Sequence, residues 1–194
     1  MNKRDGRSRE WLRSGRARAL IFAALVVSLT LGGAFVVVSQ LKPSPAEVLE
    51  HPANPVTDDQ SRAQVLDAAH QIVALAGLRT TSAGYLPMSC KGRKDPPYQG
   101  AIYLTFAVPT DVAPEKYFPA IATTLVSHGW VEGPQPNGRT DGRTVSKDAV
   151  TAIVYRDSDD PSLGVLRLYG ECRNMNDHRH DGWTDVADQL TAQR

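Results

Sequence analysis

Residues 99–108 read QGAIYLTFAV, and the fold follows from how that stretch is read. Ile102, Leu104 and Phe106 alternate with Tyr103 and Thr105, the period-two pattern of a strand with one face on a core and the other toward water. Just upstream, residues 80–91 read as a second strand. The polar turn GRKDPPY at residues 92–98 joins the two as an antiparallel hairpin. Before the hairpin, residues 57–78 place Val65, Ala69, Ile72, Val73 and Ala76 at helical spacing behind the N-cap candidates Thr57, Asp58, Asp59 and Ser61, with Gly77 as the stop.

Downstream, a second helix starts between Asp111 and Pro114 and ends at His128-Gly129, with Tyr117, Phe118, Ile121, Leu125 and Val126 as its apolar residues. Pro119 either kinks this helix or marks its first turn. Trp130-Val131 opens the next strand, followed by the turn-rich GPQPNGRTDG at residues 133–142. Residues 144–147, 150–155 and 163–172 then read as a three-stranded meander, and residues 184–190 as a short terminal helix capped by Thr184. The order αββαβββ, with helices segregated from mostly antiparallel strands, predicts a two-layer α+β sandwich with two helices on one face.

Outward toward the N-terminus the composition changes. Residues 1–18 carry seven basic groups against Asp5 and Glu10, leaving residues 19–194 with 15 basic and 19 acidic groups, net −4. A mildly acidic domain does not suit nucleic acid, whose phosphates need clustered Lys and Arg. Residues 19–41, ALIFAALVVSLTLGGAFVVVSQL, hold no charge, and about 20 apolar residues suffice to span a bilayer core. The reading is a basic cytoplasmic tail (1–18), one transmembrane helix (19–41), a Pro-rich stalk (42–56) and an extracytoplasmic domain (57–194), with the N-terminus inside by the positive-inside rule. The competing reading is a cleaved signal peptide ending near Val37-Val38-Ser39. No cysteine closes the apolar run, which excludes a lipid-modified N-terminus there. Trp11 suits anchoring at the inner interface, so the membrane is the first expected partner.

Export gives the two cysteines a meaning. An even number in an oxidising compartment reads as disulfide, so Cys90 pairs with Cys172; the C-x-x-C spacing of a redox pair or a metal thiolate site is missing.

Candidates for chemistry are few. In Asp177-His178-Arg179-His180-Asp181, His178 and His180 can both reach one metal if the backbone is extended, although Arg179 between them repels a cation; the bland reading is a solvated polar tail. His128 suits a helix C-terminus. No nucleophile elbow, phosphate loop or dinucleotide fingerprint occurs, so no catalytic residue and no cofactor is assigned. Of Tyr98, Tyr103, Tyr117, Phe118, Trp130, Tyr155, Tyr169 and Trp183, some can line a binding groove, while the bland reading places them in the core.

Met88-Ser-Cys90 on an early strand, Ser127-His-Gly-Trp130 closing a helix and Gly170-Glu-Cys172-Arg-Asn174 on a late strand together resemble small exported actinobacterial proteins, in particular mycobacterial lipoproteins of the LppA kind. The resemblance spans about residues 57–183. It implies an envelope protein with a disulfide-bonded α+β domain and carries no biochemical activity. The chain departs from that group in lacking an acylated cysteine. Three functions follow as expectations: a non-enzymatic module binding an envelope protein or cell-wall component, a metal-dependent or hydrolytic enzyme using residues 177–181, or an accessory subunit of a membrane complex docked through Gly32-Gly33.

Overall fold

The computed structural model describes residues 19, 23–28, 49–92 and 94–190. Its larger compact unit is Ala46–Arg194. The first helix there, α1 (Asp58–Ala76), starts on a capping box: Thr57 Oγ1 accepts from Gln60 N at 3.2 Å, and the Gln60 side chain accepts from Thr57 N at 3.0 Å. It ends on Gly77 in the left-handed conformation, φ 60 and ψ 36. Val65, Ala69, Ile72 and Val73 form its buried face.

The strands β1 (Arg79–Ser89) and β2 (Tyr98–Ala107) pair antiparallel as expected, with a register shift between Thr80 and Ser82. Helix α2 (Pro114–Ser127) buries Phe118, Ile121, Ala122 and Leu125. Pro114 begins it, so Pro119 lies inside the helix, and the first-turn reading of Pro119 falls. There follow β3 (Val131–Glu132), β4 (Arg143–Lys147), β5 (Val150–Arg156), β6 (Leu163–Tyr169), β7 (Thr184–Asp185) and α3 (Ala187–Leu190).

These strands form one antiparallel sheet in the order β3-β4-β5-β6-β2-β1-β7. The β1–β2 hairpin therefore joins the β4–β6 meander through β2 and β6. Even-numbered residues of β2, such as Ile102, Leu104 and Phe106, are buried with the helices, and Tyr103 and Thr105 are half-buried on the opposite face. Gly100 lets α1 approach closely, since a Cβ there would stand 2.6 Å from the Ser61 carbonyl oxygen.

The expected fold class needs two corrections. The sheet has seven strands, because two-residue strands cap both edges: β3, expected to open at Trp130-Val131, pairs with β4, and β7, which was not expected, pairs with β1. Residues 184–190, read as a helix, split into β7 and α3, with Val186 buried between them. Two residues are too few for an alternating pattern to register. The transmembrane helix over residues 19–41 is the second correction. Among the described residues, no helix is long and apolar enough to cross a membrane. Beyond residues 19 and 23–28, that run lies outside the described residues, as do the basic tail with Trp11 and the Gly32-Gly33 pair.

Candidate functional site

Helices pack on one face of the sheet, and the other face carries an ordered row of side chains. Strand register sets Gly84 opposite Tyr103, Tyr103 opposite Arg167, and Arg167 opposite Ile153. The Arg167 guanidinium lies 5.2 Å from the Tyr103 ring centroid and 5.7 Å from that of Tyr155. Arg139, from the turn-rich segment 133–142, covers Tyr155 at 4.1 Å. The row thus alternates aromatic and cation across β2, β6 and β5, each contact being of the cation–π kind. Burial raises the Tyr155 phenol pKa, and the two nearby guanidiniums pull against that rise. Arg167 Nε is buried and has no hydrogen-bond partner.

At the β1 edge the row ends on Trp183, which is 53 % exposed. Its indole lies over Gly84, where the missing side chain leaves the space it occupies. Ser82, Ala83, Tyr103, Thr184 and Asp185 complete a hollow of about 500 Å³ around it. The aromatics of the sequence therefore divide. Tyr98, Phe118 and Trp130 are core residues with Tyr117 packed against them, while Tyr103, Tyr169 and Trp183 belong to the uncovered face and Tyr155, on the same side, is buried beneath Arg139.

Trp183 is held there by the segment 174–186. Asn174 is fully buried and exchanges backbone hydrogen bonds with Tyr98, N to O at 3.1 Å and O to N at 2.7 Å. Its Nδ2 donates to Asp58 Oδ1 at 2.8 Å, and Asn176 Nδ2 donates to the same oxygen at 2.8 Å. His178, with 8 % of its side chain exposed, stands between two carboxylates: Nδ1 is 2.8 Å from Asp181 and Nε2 is 3.0 Å from Asp58. Nε2 is also 3.0 Å from Asn174 Nδ2; it donates to Asp58 when protonated and accepts from Asn174 when not. The ring meets Tyr98 edge-on at 5.1 Å. Hydrogen bonds from Asn176 and Asn174, in that order, hold the Asp58 carboxyl below the usual carboxylate range.

The two histidines thus differ in their surroundings, His178 being held between carboxylates with little exposure. His180 is exposed, and the neighbouring Asp177 pairs with Arg179 through Nε at 3.0 Å. The two carboxylates at His178 sit on opposite ring nitrogens and do not converge on one point. Among the described residues, no group of three or more His, Cys, Asp or Glu is arranged to hold a metal ion. His128 is exposed, with Nδ1 2.8 Å from the Thr124 carbonyl at the end of α2.

Cys90 and Cys172 are joined, with Cα atoms 6.1 Å apart. The bond does not link neighbouring strands. Cys90 follows β1 and Cys172 follows β6, the two strands that flank β2, so the cystine bridges past the start of β2 beside Asn174. Arg139 and Arg167 are the site residues that the sequence reading missed. Arg167 is placed by the register of distant strands and Arg139 by the turn-rich segment folding back over Tyr155, neither of which a single sequence displays.

This fold and surface define a disulfide-fastened α+β domain with one sheet face left uncovered. The family model described as "Putative lipoprotein LppJ" matches residues 57–189. The relatives include two proteins named "Putative lipoprotein LppJ" from Mycobacterium tuberculosis, strains CDC 1551 / Oshkosh and ATCC 25618 / H37Rv. Each is 39 % identical over 174 residues, covering 89 % of this chain and 91 % of theirs. One of the same name from Mycobacterium bovis, strain ATCC BAA-935 / AF2122/97, is 38 % identical over the same length. The chain belongs to the LppJ family of lipoproteins, an envelope-associated group, and the resemblance to mycobacterial lipoproteins holds. No solved structure matches it. In this sequence the cysteines number two, and the disulfide uses both.

Proposed function

We propose that the chain is an extracytoplasmic protein of the cell envelope that works by binding, taking another envelope protein or a cell-wall component on its uncovered sheet face. The observation that carries this reading is the row Trp183–Tyr103–Arg167–Tyr155–Arg139. Trp, Tyr and Arg are the residue types enriched where binding energy concentrates, because they bury large area at little entropic cost. Cross-strand packing preorganises these side chains, which lowers the cost of ordering them on association. The hydroxyls around Trp183 add hydrogen-bonding groups to an apolar floor.

A catalytic reading of residues 177–181 has less support. Both His178 nitrogens are engaged by Asp58, Asp181 and Asn174, so the cluster serves to fix the segment that carries Trp183.

Retention of the full-length chain by membrane and cell-wall fractions of the native envelope tests the proposal. The pair Trp183→Ala and Arg167→Ala should lower retention by about tenfold or more, as loss of central anchors does, while the thermal midpoint stays close to that of the parent. Unchanged retention by the folded double variant would remove the basis of the reading.

A further inference from the structure

The turn-rich segment 133–142 carries Arg139 onto the Tyr155 ring at 4.1 Å, and two residues before that arginine stands the dipeptide Asn137-Gly138. Glycine after asparagine leaves the next backbone nitrogen without a neighbouring Cβ to shield it. Both residues are exposed. Gly138 has φ +71, a Cβ built there would meet nothing within 4 Å, and its N–H has no hydrogen-bond partner among the described residues. The turn around it is pinned at its ends. Arg139 N donates to the Pro136 carbonyl at 3.2 Å, and the Arg139 carbonyl accepts from Gly142 N at 3.0 Å and from Gln135 Nε2 at 3.2 Å.

The other described asparagines differ in their surroundings. Asn54 precedes Pro55, which has no N–H. Asn174 is fully buried, its Nδ2 donates to Asp58 at 2.8 Å, and Asn176 Nδ2 donates to the same oxygen at 2.8 Å. Two Asp-Gly pairs are also engaged, since Gly142 N is taken by the Arg139 carbonyl and the Asp181 carboxylate lies 2.8 Å from His178 Nδ1.

We infer that Asn137 is a site of spontaneous covalent modification, deamidation through a cyclic imide with water as the co-reactant. Gly138 N attacks Asn137 Cγ. The N–Cγ bond forms, the Cγ–Nδ2 bond breaks, and ammonia leaves with the proton from Gly138 N. Water then opens the imide, its hydroxyl going to the attacked carbonyl carbon and its proton to Gly138 N. Attack at Cγ leaves aspartate; attack at the main-chain carbonyl leaves isoaspartate, whose backbone is longer by one carbon. Either product places a carboxylate two residues before Arg139. Isoaspartate also lengthens the chain between Pro136 and Arg139, which shifts the guanidinium from Tyr155. The modification stands whether or not the uncovered face takes a partner.

The test ages the folded full-length chain in mildly alkaline buffer made with heavy-oxygen water and maps the products by peptide mass spectrometry. Position 137 should convert to labelled aspartate and isoaspartate, while Asn54, Asn174 and Asn176 stay intact. Gly138→Ala, whose Cβ meets open space but crowds the attacking nitrogen, should slow conversion by about tenfold or more. The Arg139 Nε–H resonance, displaced by the ring it covers, should move toward that of a free side chain in the isoaspartate product and stay in place in Asn137→Asp. An intact Asn137 after ageing, conversion at Asn174 or Asn176 as fast as at Asn137, or an unchanged rate in Gly138→Ala would overturn the proposal. An unmoved Arg139 resonance in the isoaspartate product would overturn its effect on the Tyr155 contact.

Discussion

The indole of Trp183 rests on Gly84: a Cβ added at this glycine would stand 3.0 Å from Trp183 Cε3. Because Gly84 pairs with Tyr103 in β2, the contact sets the end of the aromatic row on the uncovered face.

Replacing Gly84 by Val fills the place that the indole occupies. Strand propensity favours Val here, so the domain should keep most of its stability, with a change within about 1 kcal/mol. Trp183 should become fully accessible, read as stronger acrylamide quenching of its fluorescence in a Trp11→Phe, Trp130→Phe background, and retention by the envelope fraction should fall with it.

The disulfide closes a loop across a sequence separation of 82 residues. Chain entropy then gives a stabilisation of at most about 4 to 5 kcal/mol. The double variant Cys90→Ser, Cys172→Ser should lose about 2–5 kcal/mol in urea unfolding, and reductant should lower the midpoint of the parent but not of the variant. Because Asn174 and Tyr98 lie beside the bond, proteolysis of the reduced chain should begin in residues 174–186.

Asn174→Ala removes the buried amide that donates to Asp58 and accepts from Asn176 N at 2.9 Å. The expected loss is about 1–3 kcal/mol, as for other buried polar groups that lose a partner. Asn176→Ala, on an exposed residue sharing the same acceptor, should cost less.

Asp58 supplies a pH dependence with a definite sign. Its pKa in the fold lies below the ordinary value of 3.8, so its contribution is fully present above about that pH and is lost as pH falls through the lower folded value. With over half of the side chain exposed, solvent screening keeps the effect small. Acid titration of the unfolding midpoint should show a steeper fall below pH 3.8 in the parent than in Asp58→Asn.

Much of the helix-covered side was legible in the sequence. Thr57 stood among the candidates for the helix start and Gly77 read as its stop, and the alternation of Ile102, Leu104 and Phe106 with Tyr103 and Thr105 already separated core from solvent. The uncovered face was not legible. Arg167 meets Tyr103 only because β2 pairs with β6, strands some 60 residues apart in sequence, and that pairing comes from burial of the whole sheet. His178 and His180 looked alike in sequence, but Asn174 and Asp58 hold the first in a buried position while the second is exposed.

The most direct test of the binding role is site-specific photocrosslinking in native membranes, with the reactive group placed at Tyr103 on the uncovered face or at His70, an exposed position on α1. The account predicts a discrete adduct from Tyr103 that disappears with Arg167→Ala, and none from His70. Equal labelling from both positions, or an adduct from His70 alone, would contradict it.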